Sequence, residues 1–300
     1  MVSKPTSPRD VAAILTVHAY YEALRGGLGL PAARVLDRDS FQLAEQVLEA
    51  DFYEEARPKL AALYRSPLAD DGLESAYRRN RVRPFLRSHY RANPSTALDL
   101  RDVLNDFKLQ AFNLGGQYAL DALELDGSFS LADDTILDGL REDSRQSTIV
   151  GGDLSLIDTT IDEMAGQLEA QQQGGVSLTD AIPIINAWVI GRAVIRTALI
   201  IQTESVHSSR WAMLSAFVGN GIGGVTFYTV GDERVCFQCR PLHGERFDVH
   251  SVFFPLRDLP DYARIPVHPR CRCFHDAIMD GWVKPAVIWT GFALAGVLNE

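Results

Sequence analysis

Cys236-Phe237-Gln238-Cys239 and, after a long loop, His268-Pro269-Arg270-Cys271-Arg272-Cys273-Phe274-His275 hold all four cysteines of the chain. A Cys-x-x-Cys turn can aim two sulfurs at one point about 2.3 Å away, and a zinc ion then needs two further nitrogen or sulfur ligands to complete a tetrahedron. The second cluster offers His268, Cys271, Cys273 and His275. Residues two apart in an extended segment project to one side, so Cys271 and Cys273 can reach a common point, while Pro269 fixes the turn that carries His268. The spacing therefore predicts a soft-ligand metal site drawing on Cys236, Cys239, His268, Cys271 and Cys273, with the choice of the last ligands open. Disulfides are the competing reading. They need an oxidising compartment, and the opening MVSKPTSPRD lacks the apolar core of a signal peptide, so a reducing cytosol is expected.

Around these ligands the chain reads Asp232-Glu233-Arg234-Val235-Cys236, Cys239, Leu242, Gly244, then Pro266, His268-Pro269 and Cys271-Arg272-Cys273. This compound pattern resembles the signature of the phage Mu protein F-like minor head proteins, the phage head morphogenesis family. Upstream, Thr203-Glu204 is similar to the Arg-Thr-Glu that precedes the family's core, with Gln202 where the family has arginine. The stretch Val252 to Ala263 looks like a local insertion. The resemblance implies a structural minor capsid protein, not an enzyme, carried inside a tailed-phage head and present in the host cytoplasm during assembly. Its implied partners are portal or capsid subunits and packaged DNA, and its implied cofactor is a structural zinc.

Composition sets limits on that reading. Three hundred residues with 46% hydrophobic content can bury a sizeable core. The net charge of −10 excludes a general nucleic-acid coat, because backbone binding is driven by lysine and arginine displacing counterions. Between Asp232 and Asp276, acidic residues balance arginines, which disfavours a DNA-reading zinc ribbon. A local basic stretch lies instead at Arg78, Arg79, Arg81, Arg83, Arg87 and Arg91, with Phe85, His89 and Tyr90 between them. DNA contact, if made, is expected through Arg78, Arg79, Arg81 and Arg83. The preferred reading is a solvated helix surface whose arginines pair with Asp70, Asp71 and Glu74. No unbroken apolar run reaches the roughly eighteen residues of a spanning helix, so no membrane contact is expected.

Periodicity predicts an α+β chain that is mostly α-helical, a long-helix body with a small zinc-stapled β unit near the C-terminus. Ser7-Pro8 opens a first helix; a second follows Asp39-Ser40, and Pro58 and Pro67 are expected to break what comes next into short pieces. Leu98 to Leu125 reads as a long helix whose Gly115-Gly116 would cost stability unless a neighbour packs closely there. Further helices are expected at Ala132 to Ser144 and Leu154 to Gln173, with a hinge at Gln171 to Gly175. Ser177 to Asp180 caps a helix running to about Phe217, of which Ile184 to Ile201 is apolar nearly all round, interrupted by Arg192 and Arg196, and is expected to be the central buried helix of the carboxy-terminal half. Strands are expected at Val225 to Val230, Phe247 to Phe254 and Phe274 to Ile278. The expected division is a helical region over 1–175, a head-morphogenesis module over 176–280 and an apolar tail over 281–300.

An enzyme is the alternative function, either a zinc-dependent nuclease or a toxin-like transferase. The nuclease would draw on His243, His250 or His275, and the transferase on Arg196, Thr203 and Glu204. A zinc-binding interaction module outside any virus is a third option, since an assembly role is read from partners rather than from a site.

Overall fold

The computed structural model describes residues 38–127, 129, 156–229, 236–249, 265–268, 271–286 and 288. The chain is α+β and mostly helical. Helices α1 (Arg38–Arg65), α2 (Gly72–Arg78), α3 (Val82–Ala92), α4 (Ser95–Ala122), α5 (Leu156–Gln173) and α6 (Leu178–Gly219) precede strands β1 (Gly224–Tyr228), β2 (Arg246–Asp248) and β3 (Phe274–Ala277). The expected helices near Ser7 and over Ala132 to Ser144 lie outside the described residues, as does most of the apolar tail.

Pro58 does not break α1, which runs through it. Phe52, Ala56, Leu60, Leu63 and Tyr64 are all buried at helical spacing around it. Burying that stripe outweighs the roughly 3 kcal/mol that an interior proline costs. Pro67, by contrast, sits in a short 3-10 turn, Ser66–Ala69, as a chain break requires.

Two compact units form, one from within residues 1–50, 107–139 and 201–300, the other from within 51–106 and 140–200. These units interleave in sequence, unlike the linear division expected at residue 175. The reason is that α1, α4 and α6 each give one part of their length to each unit.

In the second unit, α3 and α5 pack together and Arg196 of α6 is buried. Its guanidinium donates to Tyr64 Oη at 2.5 Å, Thr160 Oγ1 at 2.9 Å, Glu163 at 3.2 Å and the Leu156 carbonyl at 2.9 Å. Arg192 also grips Glu163. Burial raises the Glu163 carboxyl, but hydrogen bonds from Arg192 and Tyr64 outweigh it and hold the group below its ordinary range. Among the described residues the basic segment is only partly paired with acids: Arg78 meets Glu74 at 2.6 Å and Arg83 meets Asp162. Asp70 instead bonds His89 Nδ1 at 2.8 Å and accepts from the Gly72 N–H, and the His89 bond lowers its carboxyl.

The α6 expectation needs correction. Ile184, Ile190, Val194 and Ile195 lie on an exposed face, while Arg192 and Arg196 turn toward α5 and α1. Among the described residues the partners of both arginines lie on the packed side, so the helix is rotated with its ionic residues inward. Its continuation is the part buried on nearly every side, from Val206 to Phe217 with Ser205, Ser208, Ser209 and Ser215. By length and composition α6 could cross a membrane, with mean hydropathy 1.7 over its most apolar window and a third of that window buried. Arg192 and Arg196 interrupt the run, which is why an unbroken apolar stretch is not seen in the sequence.

In the first unit Gly115 and Gly116 act as contact points. A Cβ at Gly115 would stand 1.9 Å from the Ser209 carbonyl oxygen of α6, and one at Gly116 would stand 2.2 Å from the Phe129 ring. Nearby, Phe112 meets Trp211 edge-on at 5.0 Å. Buried Lys108 pairs with Glu204 at 2.8 Å. After α6, Gly221 at φ +83° turns the chain into β1, the centre of a sheet ordered β2-β1-β3. Both pairings are antiparallel, with Val225 opposite Phe247 and Ala277, and Phe227 opposite His275.

Candidate metal centre

Each edge strand adjoins one thiol-bearing loop. Cys236 to Gly244 forms a turn that includes the 3-10 segment Arg240–Leu242 and ends at Gly244, whose φ of +85° suits glycine. The Gly244 N–H donates to the Phe227 carbonyl and the Phe227 N–H donates to the Glu245 carbonyl, both at 2.8 Å, so the loop is clamped to β1. On the other edge, Cys271 and Cys273 precede β3, and the Cys271 N–H donates to the His268 carbonyl at 3.0 Å.

The two loops converge. His268 Nε2 lies 3.0 Å from Cys236 Sγ and 3.2 Å from Cys239 Sγ, and Cys239 Sγ lies 4.0 Å from Cys271 Sγ. Cys236, Cys239 and His268 form one group of ligand atoms that could hold a metal ion, and Cys239, Cys271 and Cys273 form another, joined through Cys239. None of the four cysteines is in a disulfide. All five expected ligand residues are thus brought together, whereas His275 belongs to neither group. It is buried on β3 with its ring edge-on to Phe227 at 5.5 Å.

The setting is apolar. Cys239, Cys271 and Cys273 are buried in a cluster with Val206, Phe227 and Ile265, flanked by Leu242, Phe247 and Val267. The Cys239 N–H donates to Cys236 Sγ at 3.3 Å, the bond a thiolate in such a turn accepts. Burial, then the neighbouring Cys271, pushes the Cys239 thiol up to about 12. Cys271 is drawn down to about 5 by hydrogen bonds from Cys273. Buried thiols that crowd each other cannot all ionise without a cation between them. The donor set therefore fits a metal ion.

The other sequence candidates are engaged elsewhere. His243 Nδ1 lies 2.8 Å from Thr229 Oγ1 and 3.2 Å from the Thr229 N–H, while His250 lies outside the described residues. Arg196 is held by Tyr64, Thr160, Glu163 and Leu156, and Glu204 by Lys108.

One feature is absent from the sequence reading. Beside the metal loop a pocket of about 340 Å³ is lined by Gln42, Glu45, Gln46 and Glu49 of α1, Gln202, Val206 and Arg210 of α6, and Arg272. Burial, then the charge of Glu45, pushes the Glu49 carboxyl up to about 7. The available signal is the spacing of Glu45 with Glu49 and of Gln202, Val206 and Arg210, each four apart on one helix face. No family model, curated protein or solved structure matches the chain.

Proposed function

We propose that this chain is a structural minor capsid protein of the tailed-phage head-morphogenesis type, whose C-terminal module is held by a zinc ion. The observation that carries the reading is the convergence of Cys236 and Cys239 with His268, Cys271 and Cys273 inside an apolar cluster. Zinc fits these donors: a tetrahedron with zinc–sulfur bonds of about 2.3 Å has edges of roughly 3.8 Å, and Cys239 and Cys271 stand 4.0 Å apart. Bound there, the ion would supply folding energy by tying the two loops together. Portal or capsid subunits are the proposed partners, with packaged DNA as a further contact through Arg78, Arg79, Arg81 and Arg83.

The test has two arms. Purified protein should contain about one zinc per chain under reducing conditions, and the chain should co-purify with portal or capsid assemblies when co-expressed with them. Folded protein without metal would remove the zinc, and failure to join any head assembly would remove the viral role.

A second reading, a zinc-dependent nuclease or toxin-like transferase, is favoured by the pocket beside the metal loop and its Glu49 carboxyl near neutrality. Plasmid cleavage abolished by His243→Ala or His275→Ala would favour the nuclease.

A further inference from the structure

The pocket beside the metal loop lies wholly within one compact unit, between α1 and α6, and its two ends differ in charge. Glu45 bonds Ser209 and Arg210, while Glu49, one turn further along α1, is met by the Ser205 hydroxyl, one turn earlier on α6. The two helices therefore run antiparallel along the pocket. At the Glu45 end, all three guanidinium nitrogens of Arg210 are engaged by Glu45 and the Cys273 carbonyl. Arg272 precedes Cys273 and lines the pocket half-buried, so it stands at this end too. A guanidinium has five N–H donors and can hold a carboxylate beyond its contacts within the chain. The opposite end belongs to Glu49. Burial raises its carboxyl, and Arg210, the cation whose charge reaches it, is already matched to Glu45. Ser205, wholly buried beside it, has no other partner for its hydroxyl among the described residues.

We propose that this pocket binds a small ω-amino acid, with its carboxylate on Arg272 and its ammonium on Glu49. The ammonium supplies the positive charge that an ionised Glu49 lacks, so the ligand compensates a group that folding alone leaves unfavourable. Gln202, at the Glu49 end of the pocket, offers an amide oxygen to the same ammonium, and Val206, one turn on, gives an alkyl chain an apolar wall. The levels of Glu45 and Glu49 are one helical turn, about 6 Å, apart, which suits an amine and a carboxylate separated by a short alkyl chain. A volume of about 340 Å³ fits a small ligand of this kind. A simple anion is the weaker occupant because it leaves Glu49 uncompensated, and a simple amine because it adds a cation near Arg272. The proposal concerns binding alone and rests on neither the viral role nor the enzymatic reading.

Isothermal titration of the full chain with 4-aminobutanoate, butanoate and n-butylamine tests it, in mildly alkaline buffer where Glu49 can ionise. The expected result is a Kd for 4-aminobutanoate below about 1 mM, at least about tenfold tighter than for either single-charge half. Glu49→Gln should weaken 4-aminobutanoate at least about tenfold and leave butanoate no weaker, with unchanged helical circular dichroism. General damage to the pocket would weaken both. Arg272→Lys keeps the charge but not the planar fork, and should weaken 4-aminobutanoate several-fold while sparing n-butylamine. Butanoate or n-butylamine binding as tightly as 4-aminobutanoate overturns the proposal, as does unchanged affinity for 4-aminobutanoate in Glu49→Gln. So does the absence of any 4-aminobutanoate binding up to about 10 mM.

Discussion

Arg210 grips both carboxylate oxygens of Glu45, at 2.7 and 2.8 Å, in a site where both side chains are buried. Its Nε also donates to the Cys273 carbonyl at 3.1 Å, so one guanidinium ties α1 and α6 to the second thiol loop. Glu45 accepts a further bond from Ser209 Oγ at 2.6 Å. Removing one partner leaves a charge stranded in the interior. Glu45→Ala or Arg210→Ala should each cost about 3–5 kcal/mol, whereas the joint change Glu45→Leu with Arg210→Met should cost much less. Urea midpoints of the three variants check the ordering.

Two glycines should respond in opposite senses. Gly115→Ala drives a methyl into the backbone of Ser209 and should destabilise by at least about 2 kcal/mol, despite the better helix former. Gly166→Ala on α5 meets nothing within 4 Å and should stabilise by up to about 1 kcal/mol. Thermal melts of both variants suffice.

Glu49 should make stability depend on pH. Its carboxyl moves from 4.5 to about 7 on folding. Between those values the folded chain keeps a proton that the unfolded chain has released, so its contribution is full below about 4.5 and is lost as pH rises through about 7. Glu49→Gln removes that loss. The variant should gain on the wild type across this window, by on the order of 2 kcal/mol at its upper end. Equal pH slopes for the two proteins would refute the assignment.

Metal removal should act on the C-terminal module first. With a strong chelator, protection of the β1, β2 and β3 amides from hydrogen exchange should fall, while the α3–α5 amides stay protected. Cys239→Ser should abolish metal retention, because Cys239 belongs to both ligand groups. His268→Ala should weaken it less, since Cys271 and Cys273 remain beside Cys239. Cobalt loading, read from its thiolate absorption, measures both.

The ligand clusters were legible because they rest on local spacing: Cys-x-x-Cys in a turn and Cys-x-Cys before a strand need little tertiary context. The long helices α4, α5 and α6 were equally readable, since capping at Ser177 and period 3.6 act within one element; the Ser177 hydroxyl lies 3.2 Å from the Asp180 N–H and 2.6 Å from the Asp180 carboxylate. Pro58 and the outward face of α6 were not. Both depend on neighbours distant in sequence, Pro58 on the buried stripe of α1 and α6 on Glu163 and Tyr64, which claim its arginines. The Glu45–Arg210 pair spans 165 positions, a relationship that no local window contains.

Because β1 lies between β2 and β3, the strands on either side already hold the two halves of the metal site in register. Ligand capture therefore draws on a frame that the β1 pairings have set in advance, so loosening those pairings should weaken metal retention without altering a ligand.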